Sequence, residues 1–441
     1  MPEASVVSPG RPWLARSSFA AAAAAVILVL AVAGLRGGIG LLLTAALGSA
    51  AGLAAAWWFL THRGLWRWLA GTLVVLAPLV MAVVYMRHRL LWVVVAFVLL
   101  WAVAVAAGRR ALSEPDHGPA EIVTAAPLSP YLIMNPRSGG GKVERFRLVE
   151  RARALGAHVF LLDGPAVDVA EVARQAIREG ADLLGVAGGD GTQALVAGVA
   201  AEHGLPFLVI SAGTRNHFAL DLGLDREDPS TCLDALTDGV EVRVDLGLIG
   251  DRTFVNNASF GAYAAVVQSP AYRDDKVGTT LEMLPDALTG TNGPHLALTV
   301  DGVTVTGSQA VLVSNNPYAT GDIAGLGQRP RLDLGVLGVL AVTVRGAADA
   351  ARLISGRGRA RSLTVRAATE AVVDADAPSV PVGIDGEAIL LPTPVRCVIR
   401  PGALRVRVPR QRPGTRPALP EMDWTRLRRL ALGQPPRPVG A

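Results

Sequence analysis

An apolar run that ends in glycines, a carboxylate and a hydroxyl is suited to holding phosphate, and Leu183-Leu-Gly-Val-Ala-Gly-Gly-Asp-Gly-Thr192 is such a run. Gly188, Gly189 and Gly191 can adopt positive φ and let backbone N–H groups approach an anion closely. Thr192 would open the next helix, whose dipole favours negative charge at its N-terminus. Asp190 is placed to hold Mg²⁺ or its waters beside a nucleotide. Taken alone, Gly-Gly-Asp-Gly is equally an ordinary strand-to-helix turn. Two further segments bear on the choice. Tyr131-Leu-Ile-Met134 reads as a strand that runs into Asn135-Pro-Arg-Ser-Gly-Gly-Gly-Lys142, and Val143, Phe146, Val149 and Ala152 then recur at helical spacing. Leu208-Val-Ile-Ser-Ala-Gly213 reads as another strand that releases Thr214 and Asn216 as polar contacts. Three strands whose carboxyl ends carry Gly, Asn and Thr on one edge match the ligand-binding edge of open α/β sheets. The first loop is not a Walker A loop, because Pro136 stands at the first glycine position and Val143 at the Ser/Thr position. The His-Arg-Asp and Asp-Phe-Gly signatures of protein kinases are missing from the soluble portion.

These loops need a scaffold, and the pattern between them supplies one. Strands at 131–134, 158–163, 182–187 and 206–211 alternate with helices at 143–155, 168–179 and 192–203, which predicts a parallel α/β lobe. From about Val240 the texture changes to alternating stretches such as Val240–Asp245, His295–Val300, Val303–Val305 and Ala310–Ser314, with turns at Gly250-Asp251 and Asp301-Gly302. A second, mostly β lobe is expected there.

The segments Asn135-Pro-Arg-Ser-Gly139, Gly188-Gly-Asp-Gly-Thr192, Gly213-Thr-Arg-Asn-His-Phe-Ala219, Phe254-Val-Asn-Asn-Ala-Ser-Phe-Gly261 and Asp385-Gly-Glu387 together resemble the catalytic domain of the diacylglycerol kinase and lipid kinase family, which includes the sphingosine kinases. The similarity spans about residues 129 to 408. NAD kinases and phosphofructokinases share the Gly-Gly-Asp-Gly element, so the Gly-Thr-x-Asn-x-Phe-Ala segment is the more specific mark. The resemblance implies a two-lobe fold with ATP and Mg²⁺ in the cleft and the strands near 395–408 returning to the first lobe. It implies nucleotide contacts at Asn135, Pro136, Ser138, Gly139, Gly188, Gly189, Gly191, Thr192, Thr214 and Asn216, and catalytic roles for Asp190 and Glu387. Glu387 would be the general base that accepts the proton of a lipid hydroxyl. Asp333 sits where some members carry a structural magnesium site, although Leu334 and Gly338 replace two of that pattern's acids. His217 stands where the family usually has Asp. Lys142 is one of only two lysines and could meet phosphate or simply be solvated; Arg273 and the other lysine, Lys276, could meet an anionic headgroup or form an exposed helix end.

The apolar fraction of 51% is high for a soluble chain, and the excess lies at the front. Four apolar spans near 18–35, 38–60, 66–86 and 90–107 each approach the roughly 20 residues that cross a bilayer. With the N-terminus inside, Arg11, Arg16, Arg63, Arg67, Arg109 and Arg110 lie on the inner side and Arg36, Arg87 and Arg89 on the outer, which favours cytoplasmic catalytic lobes. Cys232 and Cys397 are too few and too far apart for a disulfide framework or thiolate metal site. From Arg405 onward nine arginines face only Glu421 and Asp423; without an aromatic stacking platform, anionic lipid rather than nucleic acid is the expected partner of this tail. The tail reads as disordered, with Trp424–Leu432 able to form a short interfacial helix.

The expected organisation is therefore a membrane region at 1–110 with four transmembrane helices, a linker at 111–128, an α/β nucleotide lobe at 129–245, a β-rich substrate lobe at 246–394 and a basic tail at 409–441. The expected function is ATP-dependent phosphorylation of a membrane lipid such as diacylglycerol by a multi-pass cell-membrane protein. A kinase of a soluble acceptor, a non-catalytic nucleotide- or lipid-binding regulator, and a homodimeric form stay open.

Overall fold

A computed structural model describes residues 10–113, 119–164, 167–261, 295–319, 328–343, 363–414 and 422–434. The chain divides into two compact units, one of residues 1–116, 319–324 and 417–441, the other of residues 117–318 and 325–416.

The first unit is helical. Helices α1 (Gly10–Thr61), α2 (Leu65–Arg87) and α3 (Leu91–Leu112) contain four segments long and apolar enough to cross a membrane: Arg11–Val32, Ile39–Thr61, Leu65–Arg87 and Leu91–Leu112. They overlap the four expected spans, although the first begins and ends earlier than expected and the fourth ends later, and the first two are joined through Gly34, whose φ of 64° and ψ of 177° break the helix locally. Only glycine takes such a conformation without strain.

The second unit opens with β1 (Ile122–Val123) and β2 (Pro130–Met134). The expected helix at 143–155 forms as two pieces, α4 (Lys142–Arg145) and α5 (Leu148–Ala154), because Arg147 between them adopts φ 52°. Next come β3 (His158–Leu161), α6 (Val169–Arg178), β4 (Leu183–Ala187), α7 (Asp190–Glu202), β5 (Pro206–Ile210) and the single turn α8 (His217–Asp221). Asp168 starts α6 by accepting the N–H groups of Ala170 and Glu171. Beyond it run β6 (Gly239–Ile249), β7 (Arg252–Phe254), β8 (Asn257–Gly261), β9 (Leu296–Val300), β10 (Val303–Ser308), β11 (Ala310–Asn315) and β12 (Leu337–Val342). β13 (Leu363–Ala368), β14 (Glu370–Ala375), β15 (Ser379–Ile384), β16 (Glu387–Pro392) and β17 (Val395–Pro409) complete the unit.

The strands form two sheets. The larger runs β10-β9-β14-β17-β5-β4-β2-β3, with β6 also paired to β17; the smaller runs β13-β12-β11-β8-β15-β16. The β17-β5-β4-β2-β3 portion is parallel, and β4 and β5 are buried along their whole length, as strands covered on both faces must be. A core of residues such as Leu132, Val186, Phe207 and Phe218 fills the α/β part, and a second core with Phe254, Phe260, Val313 and Val382 fills the β-rich part. The expected lobe boundary at 245 falls inside β6, which pairs with β17 from Gly239 to Ile249. Likewise β9, β10 and β14 extend the large sheet rather than joining the separate β layer. Arg273 and Lys276 lie outside the described residues.

Candidate active site

Three strands deliver the site at one level. Met134, Ala187 and Ile210 are register partners across β2, β4 and β5, so the loops after them leave the sheet side by side. The N–H of Asn135 donates to the Ala187 carbonyl at 2.9 Å, which ties the first loop to the second.

In the first loop Asn135 Oδ1 accepts the N–H of Arg137 at 3.0 Å, and Gly139, Gly140 and Gly141 follow with φ of 58°, 70° and 81°. Three successive left-handed residues require glycine. Gly139 lies so close to the carbonyl of Ala212 that a Cβ there would overlap it, whereas Gly140 and Gly141 face open space. Pro136 and Ser138 are half-buried within this loop. The Lys142 ammonium donates to the Arg226 carbonyl at 2.6 Å, which gives it a structural role at the loop base.

The second loop needs glycine for a different reason from the expected one. None of Gly188, Gly189 and Gly191 has positive φ; Gly189 sits at φ −76°, ψ 168° and starts α7 one residue before Asp190. Helix α7 thus opens at Asp190 rather than Thr192. The glycines supply room. A Cβ on Gly188 would lie 3.2 Å from Val186 Cγ1, and a Cβ on Gly191 would lie 2.5 Å from Glu387 Oε1.

In the third loop a Cβ on Gly213 would lie 2.9 Å from both the Gly188 carbonyl oxygen and Gly189 Cα, and Asn216 takes φ 42°. Thr214 is exposed. The buried Asn216 amide has no partner for either Oδ1 or Nδ2, and Gln193 Oε1 and His217 Nδ1 are also buried and unpartnered. These make up four of the five such atoms among the described residues, the fifth being Arg109 Nε. Buried polar atoms are otherwise almost always satisfied, so this concentration marks a place built to receive a polar ligand. Gln193 does anchor the loop, donating from Nε2 to the Gly188 carbonyl at 3.1 Å.

Asp190 accepts the N–H groups of His217 at 3.1 Å and Phe218 at 3.4 Å, so it caps α8 and joins the second and third loops. His217 therefore contributes its backbone to the site. Burial lowers the pKa of its imidazole, against the opposing pull of Asp190 and Asp221, which favours the neutral ring.

Glu387 is positioned from the other sheet. Asp385 (φ 47°) and Gly386 (φ 88°) form the two-residue turn between β15 and β16, with Ile384 paired to Glu387. Two consecutive positive φ values are the mark of a type I′ hairpin. The Asp385 carboxylate turns inward and accepts the N–H groups of Val255, Asn256 and Asn257 at 2.7, 2.8 and 3.0 Å. Burial pushes its pKa up to about 7 against those three donors, and the nearby Asp190 charge adds to the rise. The clamp fixes the hairpin tip, and the next residue, Glu387, lies over Gly191 at the start of α7. Its exposed carboxylate makes no hydrogen bond among the described residues. Asp190 and Glu387, far apart in sequence, are thus brought to the same helix start.

The fully buried Arg329 has no counterpart in the sequence reading. Its Nε donates to Asp221 Oδ2 at 2.7 Å, and one terminal nitrogen donates to the carbonyls of Val255 and Asn315, both at 2.7 Å. The other donates to Asn256 Oδ1 at 2.7 Å. Arg329 therefore pins α8 to the Val255–Asn257 turn that Asp385 also grips. Asp221 is buried with it; desolvation raises the Asp221 pKa while the guanidinium pulls the other way. Asp245 is a second hub, accepting the N–H groups of Gly335 and Gly402 at 2.6 and 2.7 Å.

Asp333 is not brought to this site. Arg331 holds its carboxylate through two bonds of 2.6 and 2.8 Å, and the described residues contain no cluster of three metal-ligating side chains. A site for Mg²⁺ beside a nucleotide needs less, because this ion keeps several waters and takes one or two carboxylates with substrate phosphates. Asp190 fits that donor set: two N–H donors leave part of its acceptor capacity open. The glycine cradle and the unpartnered Asn216 amide likewise fit a phosphate-bearing nucleotide.

Residues 129–249 match the model of the diacylglycerol kinase catalytic domain. That segment belongs to the diacylglycerol kinase catalytic-domain family. It is similar to the diacylglycerol kinase of Mycobacterium tuberculosis, 32% identical over 136 residues that cover 30% of this chain and 44% of that one. It is also similar to the diacylglycerol kinase of Bacillus subtilis (strain 168), 39% identical over 138 residues covering 30% of this chain and 45% of the relative. The chain thus spans less than half the length of these relatives. A crystal structure of a diacylglycerol kinase from Bacillus anthracis str. Sterne superposes with a TM-score of 0.50 at 18% identity, covering 65% of this chain and 99% of that one. This likeness extends the shared fold across both sheets. The diacylglycerol kinase match ends at Ile249, so Asp385 and Glu387 reach the site from outside it.

Proposed function

We propose that the protein is a membrane-bound lipid kinase that transfers the γ-phosphoryl group of ATP to the hydroxyl of a diacylglycerol-like lipid. The observation that carries this reading is Glu387 lying over Gly191, the residue after Asp190, at a helix start whose neighbouring loop holds the unpartnered Asn216 amide. A phosphate-binding helix start and an unengaged carboxylate are what phosphoryl transfer to an alcohol needs. The glycine loops and Asn216 would bind the nucleotide phosphates. Glu387 would accept the hydroxyl proton as the new P–O bond forms and the bond between the γ-phosphorus and the ADP oxygen breaks. Mg²⁺, when bound, would neutralise phosphate charge, and Asp190 is the residue to hold it or its waters. Neutral His217 adds no cation there.

Four helices of membrane-crossing length support a substrate drawn from the bilayer. The arginine asymmetry supports an inner N-terminus and catalytic lobes on the cytoplasmic side, where ATP is available. The test is transfer of labelled phosphate from ATP-Mg²⁺ into a total membrane lipid extract by the full chain and by Glu387→Gln. We expect one labelled lipid species and a loss of about 10²- to 10⁴-fold in the variant, the usual contribution of a general base. Absence of lipid labelling by a folded, ATP-binding protein would overturn the reading in favour of a soluble acceptor or a regulator.

A further inference from the structure

The expected disordered tail contains a folded element. Residues 424–431 form helix α9 (Trp424–Ala431), started by Asp423, which accepts the N–H groups of Thr425 and Arg426. It packs within the helical unit: Leu427 and Leu430 are buried with Ala15 of α1 and Ala111 and Leu112 of α3. The Trp424 ring lies 5.7 Å from Phe19 and 6.1 Å from Trp101, and Arg16 Nε donates to the Ala431 carbonyl at 3.0 Å. The start of α1, the end of α3 and α9 therefore share one end of the bundle.

That end is cationic. Arg109, Arg110, Arg428 and Arg429 join Arg11 and Arg16 there, and none of the first four has a carboxylate partner among the described residues. The acid of α9, Asp423, is engaged in capping. Arg109 Nε is buried without a hydrogen-bond partner, outside the kinase site altogether. Trp13, 70% exposed, and Trp424 stand beside these charges, the pairing of aromatic and cationic side chains found where a protein meets lipid headgroups.

We propose that this end of the bundle is a binding surface for anionic phospholipid headgroups, with α9 as a strap lying in the interface and Arg109 and its neighbours holding the phosphate. The proposal rests on the helices lying in a membrane but not on the kinase chemistry. Lipid phosphates would supply the acceptors that Arg109 Nε lacks, and negative charge against arginines without a carboxylate partner among the described residues.

The test is native mass spectrometry of the full chain in neutral detergent with equal amounts of phosphatidylglycerol and phosphatidylcholine. The wild type should retain phosphatidylglycerol preferentially. Arg110→Gln with Arg428→Gln, both exposed and so harmless to folding, should weaken that retention by about fivefold per arginine, the value of one cation near an anionic surface. Arg87→Gln with Arg89→Gln, at the end of α2 and in the turn after it, should leave it unchanged. Equal retention of both lipids by the wild type, or equal loss in both double variants, would overturn the proposal. A chain that stays monodisperse without detergent would instead refute the membrane reading beneath it, and phosphate-transfer activity bears on neither.

Discussion

Gly191→Ala separates what the fold needs from what the chemistry needs. The new Cβ would lie 2.5 Å from Glu387 Oε1, 2.9 Å from Cδ and 3.1 Å from Cγ, so its three nearest contacts all belong to Glu387. An ordinary contact of about 3.5 Å between heavy atoms requires the carboxylate to retreat by roughly 1 Å. Because Glu387 is exposed and flexible, the side chain yields and the backbone stays. Residue 191 lies in the first turn of α7 with ordinary helical φ, so alanine should stabilise that helix by up to about 1 kcal/mol. A displacement of about 1 Å in a reacting group can lower turnover roughly 10²-fold. The expected result is a melting temperature unchanged or a few degrees higher, unchanged nucleotide affinity and labelled-phosphate transfer reduced about 100-fold. Thermal unfolding, nucleotide titration and the transfer assay on one preparation read all three. Turnover within threefold of wild type would refute the placement of Glu387 as base. Loss of both stability and activity would show that Gly191 serves packing that the hairpin does not explain.

Two further outcomes follow from the buried charges. Asp221→Asn leaves the Arg329 guanidinium buried without its counter-ion and should destabilise the second unit by about 3–5 kcal/mol, while Asp221→Asn with Arg329→Met should recover a large part of that loss in the same denaturation assay. Asp385, with its folded pKa raised from 3.8 to about 7, keeps its proton in the folded protein across a range where the unfolded chain has lost it. Its contribution to stability is therefore fully present below about pH 4, declines as pH rises towards 7 and is flat above; Asp385→Asn should remove that slope, and an unchanged slope would place the titration elsewhere.

The motifs legible in the sequence were the local ones. A strand, a glycine turn and a helix start are contiguous, so Asn135, Gly188 and Asn216 could be assigned to one sheet edge before their register was known. The spans were legible because bilayer length is written directly in apolar run length. What escaped was non-local. Arg329 meets Asp221 across 108 positions, and nothing about an arginine in Gln328-Arg-Pro330 distinguishes a buried hub from a solvated charge. Sequence alone suggests a conformational role for Gly191, whereas the contact that excludes a Cβ there is Glu387, a residue of the smaller sheet. Arg147 broke a helix that its apolar spacing favoured, since periodicity reports which face is buried and not where the backbone turns. Asp333 looked like a ligand because an acid's neighbours along the chain say little about the guanidinium that will hold it.

Strand β17 limits how this architecture can be divided. From Val395 to Val398 it pairs with β14, and from Arg405 to Arg407 it runs parallel to β5, while β6 lies along its other side. A fragment ending at Ile249 would retain β5 and β6 without the strand that separates them. Such a piece would present two unpaired inner edges, that of the wholly apolar β5 and that of the largely buried β6, the condition under which sheets recruit other chains. The recognisable stretch of sequence is therefore not a transplantable module. Any recombinant or chimeric version that is to stay monomeric must carry residues 395–409, however far from the glycine loops its author chooses to cut.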